Sequence, residues 1–279
     1  NKQNQSSSRL VAGNDNSFRI LEEKLAKHKS QERSLIFPTG YMANLGVISS
    51  LVGKNDLILS DKLNHASLIE ACKLCNAKLT IFKHNNMSDL IHKIKTKARR
   101  KFIITEGIFS MDGDFSNLNT ISEISEKNNA IIILDDAHGD FVVGNDGKGT
   151  ANYFGVSKKI DVYISSLSKG LGSFGGYVSA RKSIIELCIN KSKSFIYTSA
   201  LPRLLIDDAT KRFESNREKN RKKLWKNVKK FSAGLKKIGF NVNSNSHIFP
   251  IIIGKEKAAI EFGEYLFKNG IFAQPIRYP

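Results

Sequence analysis

The sequence is poor in cysteine, short of acid and without a long apolar run, and each shortage closes off a class of protein. Three cysteines in 279 residues, an odd number, do not make the framework of a disulfide-stapled secreted domain. Cys72 and Cys75 form a single C-x-x-C with no second pair, and their setting over residues 67–77 reads as helix. The two thiols are expected to pack as small hydrophobes. No apolar stretch reaches the roughly 18 residues that a membrane-spanning helix requires. Residues 1–8 are polar and lack the apolar segment of a secretory signal, so the expected location is the cytoplasm, with no membrane partner.

Acidic residues number 26 against 44 lysines and arginines, a formal charge of +18. The basic residues crowd 211–237, where Leu224, Val228, Phe231 and Leu235 recur at helical spacing. The charge is therefore expected to cover the wet face of an amphipathic helix. Nucleic-acid binding would need a recognition motif beside the charge, and none accompanies it. A positive surface also suits an acidic partner or a phosphate-bearing substrate.

What is present is alternation. Strand-like runs at 57–60, 79–82, 102–105, 131–134, 162–165 and 177–180 are interleaved with helical patterns at 67–76, 87–97 and 118–128. That order argues for an α/β domain with a mostly parallel sheet. An earlier helix follows the capping cluster Asn14-Asp15-Asn16-Ser17, with Phe18, Leu21 and Leu25 on one face and Lys27 and Lys29 late. Another begins at Gly40-Tyr41 and runs through Leu45, Ile48 and Val52. After Arg203 a long helical stretch leads to strand-like runs at 248–253 and 271–274 around a helix near 257–268. The expected division is an N-terminal segment (1–17), a large domain (18–210) and a smaller α+β domain (211–279) that stops at Pro279 before completing a sheet.

The chemistry concentrates at two strand ends. The run 131–134 ends in Asp135-Asp136-Ala137-His138-Gly139, and a later strand leads into Ser165-Ser166-Leu167-Ser168-Lys169-Gly170. A carboxylate at one strand end and a lone lysine at another is what pyridoxal phosphate chemistry requires. The amine forms a Schiff base with the cofactor aldehyde, and the acid keeps the pyridine nitrogen protonated so that the ring accepts electrons. Asp135, Asp136 and His138 could instead ligate a metal, but no further ligand cluster stands out; no metal is expected. Gly170-x-Gly172-x-x-Gly175 matches a dinucleotide fingerprint, and a nicotinamide-dependent oxidoreductase is the alternative from another class. The following Gly176-Tyr177-Val178-Ser179-Ala180 reads as a strand, however, where that motif needs a helix. His65 falls at a probable helix start, where a capping histidine would also sit. Gly40 and Tyr41 open a helix whose free amides can hold a phosphate.

Together these residues resemble the α-oxoamine synthase family of fold-type I pyridoxal phosphate enzymes. The likeness includes Ser8-Arg9-Leu10-Val11-Ala12-Gly13, Asn64-His65-Ala66-Ser67-Leu68-Ile69-Glu70 and Thr105-Glu106-Gly107-Ile108-Phe109-Ser110-Met111-Asp112-Gly113-Asp114. The Asp135 and Lys169 motifs and Tyr197-Thr198-Ser199-Ala200-Leu201-Pro202 complete it. The resemblance implies a fold-type I architecture, a seven-stranded, mostly parallel sheet flanked by helices. It implies that Lys169 carries the cofactor and moves protons, that Asp135 pairs with the ring nitrogen, and that His138 and Ser110 bond the phenolic oxygen. His65 would stack on the ring. Gly40, Tyr41 and Ser166 would hold the phosphate, joined by Thr198 and Ser199 from the partner subunit of a homodimer. Arg277 would anchor the amino-acid carboxylate; Glu106 lies nearby without an assigned role. The implied reaction joins a small amino acid, L-alanine, to a pimeloyl thioester of coenzyme A or a carrier protein, releasing carbon dioxide. Within the family the alternative is glycine C-acetyltransferase. Where relatives carry a glycine-rich segment before Ser-Arg, this chain has Gln3-Asn4-Gln5-Ser6-Ser7.

Overall fold

Seven short strands carry the fold: β1 (Arg33–Phe37), β2 (Leu57–Asp61), β3 (Lys78–Phe82), β4 (Lys101–Glu106), β5 (Ala130–Asp135), β6 (Val162–Ser166) and β7 (Gly176–Ala180). The computed structural model describes residues 7–240 and 244–276. The strands form one sheet in the order β1-β7-β6-β5-β4-β2-β3. Strands β3, β2, β4, β5 and β6 run parallel, and β7 is antiparallel to both of its neighbours. This is the mostly parallel, seven-stranded sheet expected.

Helix α1 (Asn16–Lys29) precedes β1, and α2 (Gly40–Leu51), α3 (Ala66–Lys73), α4 (Met87–Lys93), α5 (Leu118–Asn128) and α6 (Thr150–Tyr153) intervene between the strands. After β7 come α7 (Lys182–Lys191), α8 (Lys193–Ile196), α9 (Arg203–Glu214), α10 (Arg217–Lys237) and α11 (Glu256–Lys268). The strands are apolar on both faces because helices cover both. On one face Ile58, Ile104, Ile133 and Ile164 pack with Val47 and Ile48 of α2, Leu68 of α3 and Ile185 of α7. On the other, Leu59, Ile103, Ile132 and Leu134 meet Leu90 of α4 and Ile121 of α5. Successive residues of β5 thus serve opposite cores, the period of two that a strand imposes.

Helix α1 is capped by Asp15, whose side chain accepts from the Ser17 N–H at 2.8 Å. Phe18, Leu21 and Leu25 pack against Ile36 and Tyr177, as their spacing predicts. Lys29 is not at the surface, however: it is 3 % exposed and paired with buried aspartates. The thiols follow expectation, with Cys72 buried and Cys75 partly so. Burial pushes Cys72 up to about 12 and Cys75 up to about 11, which keeps both protonated and unreactive.

Three expectations fail. The edge strand β1 does not figure among the expected runs; it forms because β7 offers an antiparallel partner, with Leu35 opposite Val178. The runs at 248–253 and 271–274 do not become strands among the described residues. Strand conformation is held by a neighbour's backbone, and neither run meets one. Helix α4 stops at Lys93 rather than 97, and the chain turns so that Arg99 and Arg100 reach the buried carboxylate of Asp56 at 3.0 and 2.7 Å. No described helix is long and apolar enough to cross a membrane.

Candidate active site

The parallel strands bring their carboxyl ends to one edge, where α/β folds bind ligands. There β4 ends in Glu106 and β5 in Asp135, directly opposite each other. Strand β6 ends in Ser166, with Lys169 exposed in the turn that follows. From the end of β2 the chain passes through His65 into α3, while α2 begins at Gly40 after β1.

Asp135 is buried; one carboxylate oxygen accepts from the Ala137 N–H at 3.0 Å and the other from the Asn44 amide at 2.7 Å. Burial raises its pKa, opposed by the bonds from Asn44 and Ala137 and by the charges of His65 and Lys169. Lys169 is therefore close enough to act electrostatically on Asp135. His138 is pushed down to about 3 by burial, then by Lys169, His247 and His65, so its ring is neutral near pH 7. Glu106 goes the other way. Burial and the neighbouring Asp135 push it up to about 8, although the backbone N–H groups of His65 and Ser110 donate to it. It holds a proton at neutral pH and ties the loops of His65 and Ser110 to the end of β4.

The opposite end of the site is built by α2. Thr39 caps it by accepting from the Met42 N–H at 3.1 Å, and the first amides, on Gly40 and Tyr41, have no partner within the helix. A β-carbon on Gly40 would lie 3.2 Å from that of Ser166, so the serine stands beside the helix start. A β-carbon on Gly176 would come within 2.4 Å of the Gly40 nitrogen; only glycine lets β7 pass so close. Gly175, with φ +119°, turns the Lys169 loop into β7. The loop of Gly170, Gly172 and Gly175 therefore leads to a strand, and the helix of a dinucleotide site is absent.

The structure thus gathers Gly40, Tyr41, His65, Ser110, Asp135, His138, Ser166 and Lys169. Thr198 and Ser199 line a cleft with Arg9, Phe18, Ile36, Phe37 and Pro38, which no other candidate residue lines. Arg277 lies outside the described residues. Asp136 points away from the site: it accepts from Thr150 Oγ1 at 2.7 Å and pairs with Lys29 at 3.1 Å. Lys29 also pairs with Asp140 at 2.7 Å, and Asp140 takes His28 at 3.0 Å. Among the described residues no group of three or more His, Cys, Asp or Glu side chains is placed to hold a metal ion.

Sequence reasoning missed Asn44, Ser67 and His247. Asn44 interrupts the apolar face of Ala43, Val47 and Ile48, and a buried amide in such a face needs partners, which was a usable signal. Nothing near His247 announces that its segment folds back to the site. Ser244 bonds the Gly113 carbonyl at 3.3 Å, and His247 comes within the electrostatic reach of Lys169 and His138.

The residues suit pyridoxal phosphate by their donor set: a buried acid for the ring nitrogen, an accessible amine, and a helix start with a hydroxyl for the phosphate. Comparison with known proteins agrees. The family model described as aminotransferase class I and II matches residues 1–279. An 8-amino-7-oxononanoate synthase from Thermoanaerobacter pseudethanolicus is 42 % identical over 277 residues, 97 % of this chain and 70 % of that protein. A putative 8-amino-7-oxononanoate synthase from Methanocaldococcus jannaschii is 45 % identical over 278 residues, 98 % and 74 %. Among solved structures, an 8-amino-7-oxononanoate synthase from Francisella tularensis superposes with a TM-score of 0.81 at 30 % identity, covering 95 % of this chain and 79 % of that one. A serine palmitoyltransferase from S. paucimobilis with a bound PLP-myriocin aldimine gives a TM-score of 0.93 at 26 % identity, covering 98 % and 72 %.

Proposed function

This chain belongs to the aminotransferase class I and II family as a pyridoxal phosphate-dependent acyltransferase, and from that premise we propose that it condenses L-alanine with a pimeloyl thioester. The new bond joins the alanine Cα to the thioester carbonyl carbon. The carbon–sulfur bond breaks, the thiol leaves, and the alanine carboxylate departs as carbon dioxide, leaving 8-amino-7-oxononanoate. The observation that carries the cofactor reading is Asp135, buried at the end of β5 and held by Asn44 and Ala137, at the same sheet edge where Lys169 is exposed in the turn after β6. The choice of alanine and pimeloyl rests on the names of relatives at 42 % and 45 % identity. The serine palmitoyltransferase likeness, at 26 %, supports the shared fold and leaves palmitoyl transfer from a thioester to serine as the second reading.

When bound, the cofactor supplies an electron sink that stabilises negative charge on the amino-acid Cα. The rest is the work of this chain's residues. Lys169 Nζ is the anchoring amine, and then the base that takes the Cα proton and later returns one. Asp135 would hold the ring nitrogen protonated, its own charged form then favoured by that partner against the cost of burial. His138, neutral near pH 7, and Ser110 would bond the phenolic oxygen, and His65 would lie against the ring. Gly40, Tyr41 and Ser166 would take the phosphate, with Thr198 and Ser199 of a second subunit, and Arg277 would take the substrate carboxylate.

Product formation from L-alanine and pimeloyl-coenzyme A, followed by mass spectrometry, tests the reading. Condensation with L-serine and palmitoyl-coenzyme A alone would overturn the substrate choice. Lys169→Ala is expected to lower turnover by at least roughly a hundredfold, the usual worth of a positioned base. Borohydride reduction of the loaded protein should leave the cofactor on the peptide of Lys169, and label on another lysine would refute its role.

A further inference from the structure

We infer that Asn44 and Ser67 are positioning residues, which lock the His65 ring with Nδ1 as an acceptor and link it to the Asp135 carboxylate. Asn44 lies one turn into α2 and is 2 % exposed; Ser67, in the first turn of α3, is 1 % exposed. The Asn44 amide nitrogen is 2.7 Å from Asp135 Oδ2 and 2.9 Å from Ser67 Oγ. A carboxylate only accepts, so the amide must turn its nitrogen to this side. Its two hydrogens then go one to each oxygen, and its own Oδ1 is left buried without a partner among the described residues.

The direction of the remaining bonds follows. Ser67 Oγ accepts from Asn44, so its hydrogen is free for His65 Nδ1, 2.7 Å away. The Ser67 backbone N–H reaches the same nitrogen at 3.2 Å, which makes His65 the cap of α3. Two donors converge on Nδ1, so in the neutral ring the proton sits on Nε2. A leucine could fill the place of Asn44 in the apolar face of α2 without an unpaired acceptor; the amide is explained by what it connects. The inference rests on the reading above only for its purpose: two groups assigned to opposite parts of one cofactor are held by a single chain of side-chain bonds. The helix that opens with the phosphate amides also supplies the clamp on Asp135.

The deciding measurement, the tautomer of His65, needs neither cofactor nor substrate. In histidine-15N-labelled protein at about pH 8, long-range nitrogen–proton spectra report which ring nitrogen carries the proton. His65 is assigned by the signals lost in His65→Asn. We expect Nδ1 bare and Nε2 protonated. Ser67→Ala should mix the two tautomers and Ser67→Thr should restore one. Asn44→Leu should weaken pyridoxal phosphate binding, followed by fluorescence, roughly ten- to a hundredfold, as the loss of a buried bond to a charge implies. A proton on Nδ1 in the unaltered protein overturns the inference, and so does a His65 spectrum untouched by both Ser67→Ala and Asn44→Leu. If a variant fails to fold, the tautomer of the unaltered protein still decides. A protein without condensing activity would refute the reaction proposed above and leave this measurement standing.

Discussion

His84 lies between two carboxylates, with Nδ1 2.8 Å from Asp61 and Nε2 2.9 Å from Asp114, and its ring meets Phe109 edge-on at 4.5 Å. Burial disfavours its charge, but the hydrogen bonds to Asp114 and Asp61 outweigh that and push it up to about 10. In the unfolded chain a histidine titrates near 6.5. The raised value means that the stabilisation is fully present below about pH 6.5 and fades as pH climbs through about 10. Between neutral pH and about 11 the protein should lose on the order of 2 kcal/mol in denaturant unfolding through this group, and His84→Gln should flatten the dependence. Identical pH curves for the two proteins would show that the pairing contributes nothing. At this scale Lys169 and Asp135 were legible in the sequence, since an acid and an amine closing apolar runs have few structural uses. Asp136 and Lys29 were not, because nothing in either neighbourhood shows that they meet inside the fold.

Helix α2 joins two tasks, an amide-bearing start beside Ser166 and a clamp on Asp135 one turn later. Its position depends on how closely β7 approaches, and that depends on Gly176. Gly176→Ala should push the helix start away, costing roughly 1–3 kcal/mol of stability as overpacking does. Cofactor affinity should fall at least tenfold in a fluorescence titration, about 1.4 kcal/mol of binding energy. Wild-type affinity in that variant would mean that the helix start is not where the phosphate binds. Most elements could be foreseen because their residues agree with one period, as α5 and β5 do. Strand β1 and the runs at 248–253 and 271–274 could not be sorted from sequence, because all three are short and apolar. Only the presence of β7 beside the first made it a strand.

For the whole molecule, the cleft lined by Thr198 and Ser199 but by no other candidate residue matters most. If a second subunit delivers them, each site is made from two chains. Lys169→Ala mixed with a Thr198→Ala, Ser199→Ala double variant would then form hybrid dimers carrying one intact and one doubly damaged site. Random pairing puts hybrids at half of all dimers, so about a quarter of full activity should return. A mixture no more active than its separate components would place both residues in their own chain's service. The basic surface has its own arrangement. Helix α10 turns Leu224 and Trp225 against Ile108, Val142 and Val143, and Trp225 Nε1 donates to the Val142 carbonyl at 3.1 Å. Leu235 is buried, whereas Phe231 remains 51 % exposed among the lysines.

The sequence by itself determined the α/β alternation, the placing of Asp135 and Lys169 at or just past strand ends, and the strand after Gly175 that excludes a dinucleotide helix. These are local: each follows from a few consecutive residues and the period of their burial. Tertiary structure alone decided that Asp136 turns inward to a buried lysine, and that an asparagine on α2 reaches both a serine on α3 and the acid closing β5. Such choices join residues far apart in the chain, 107 positions in the pair of Lys29 with Asp136, and no local pattern encodes a partner at that distance.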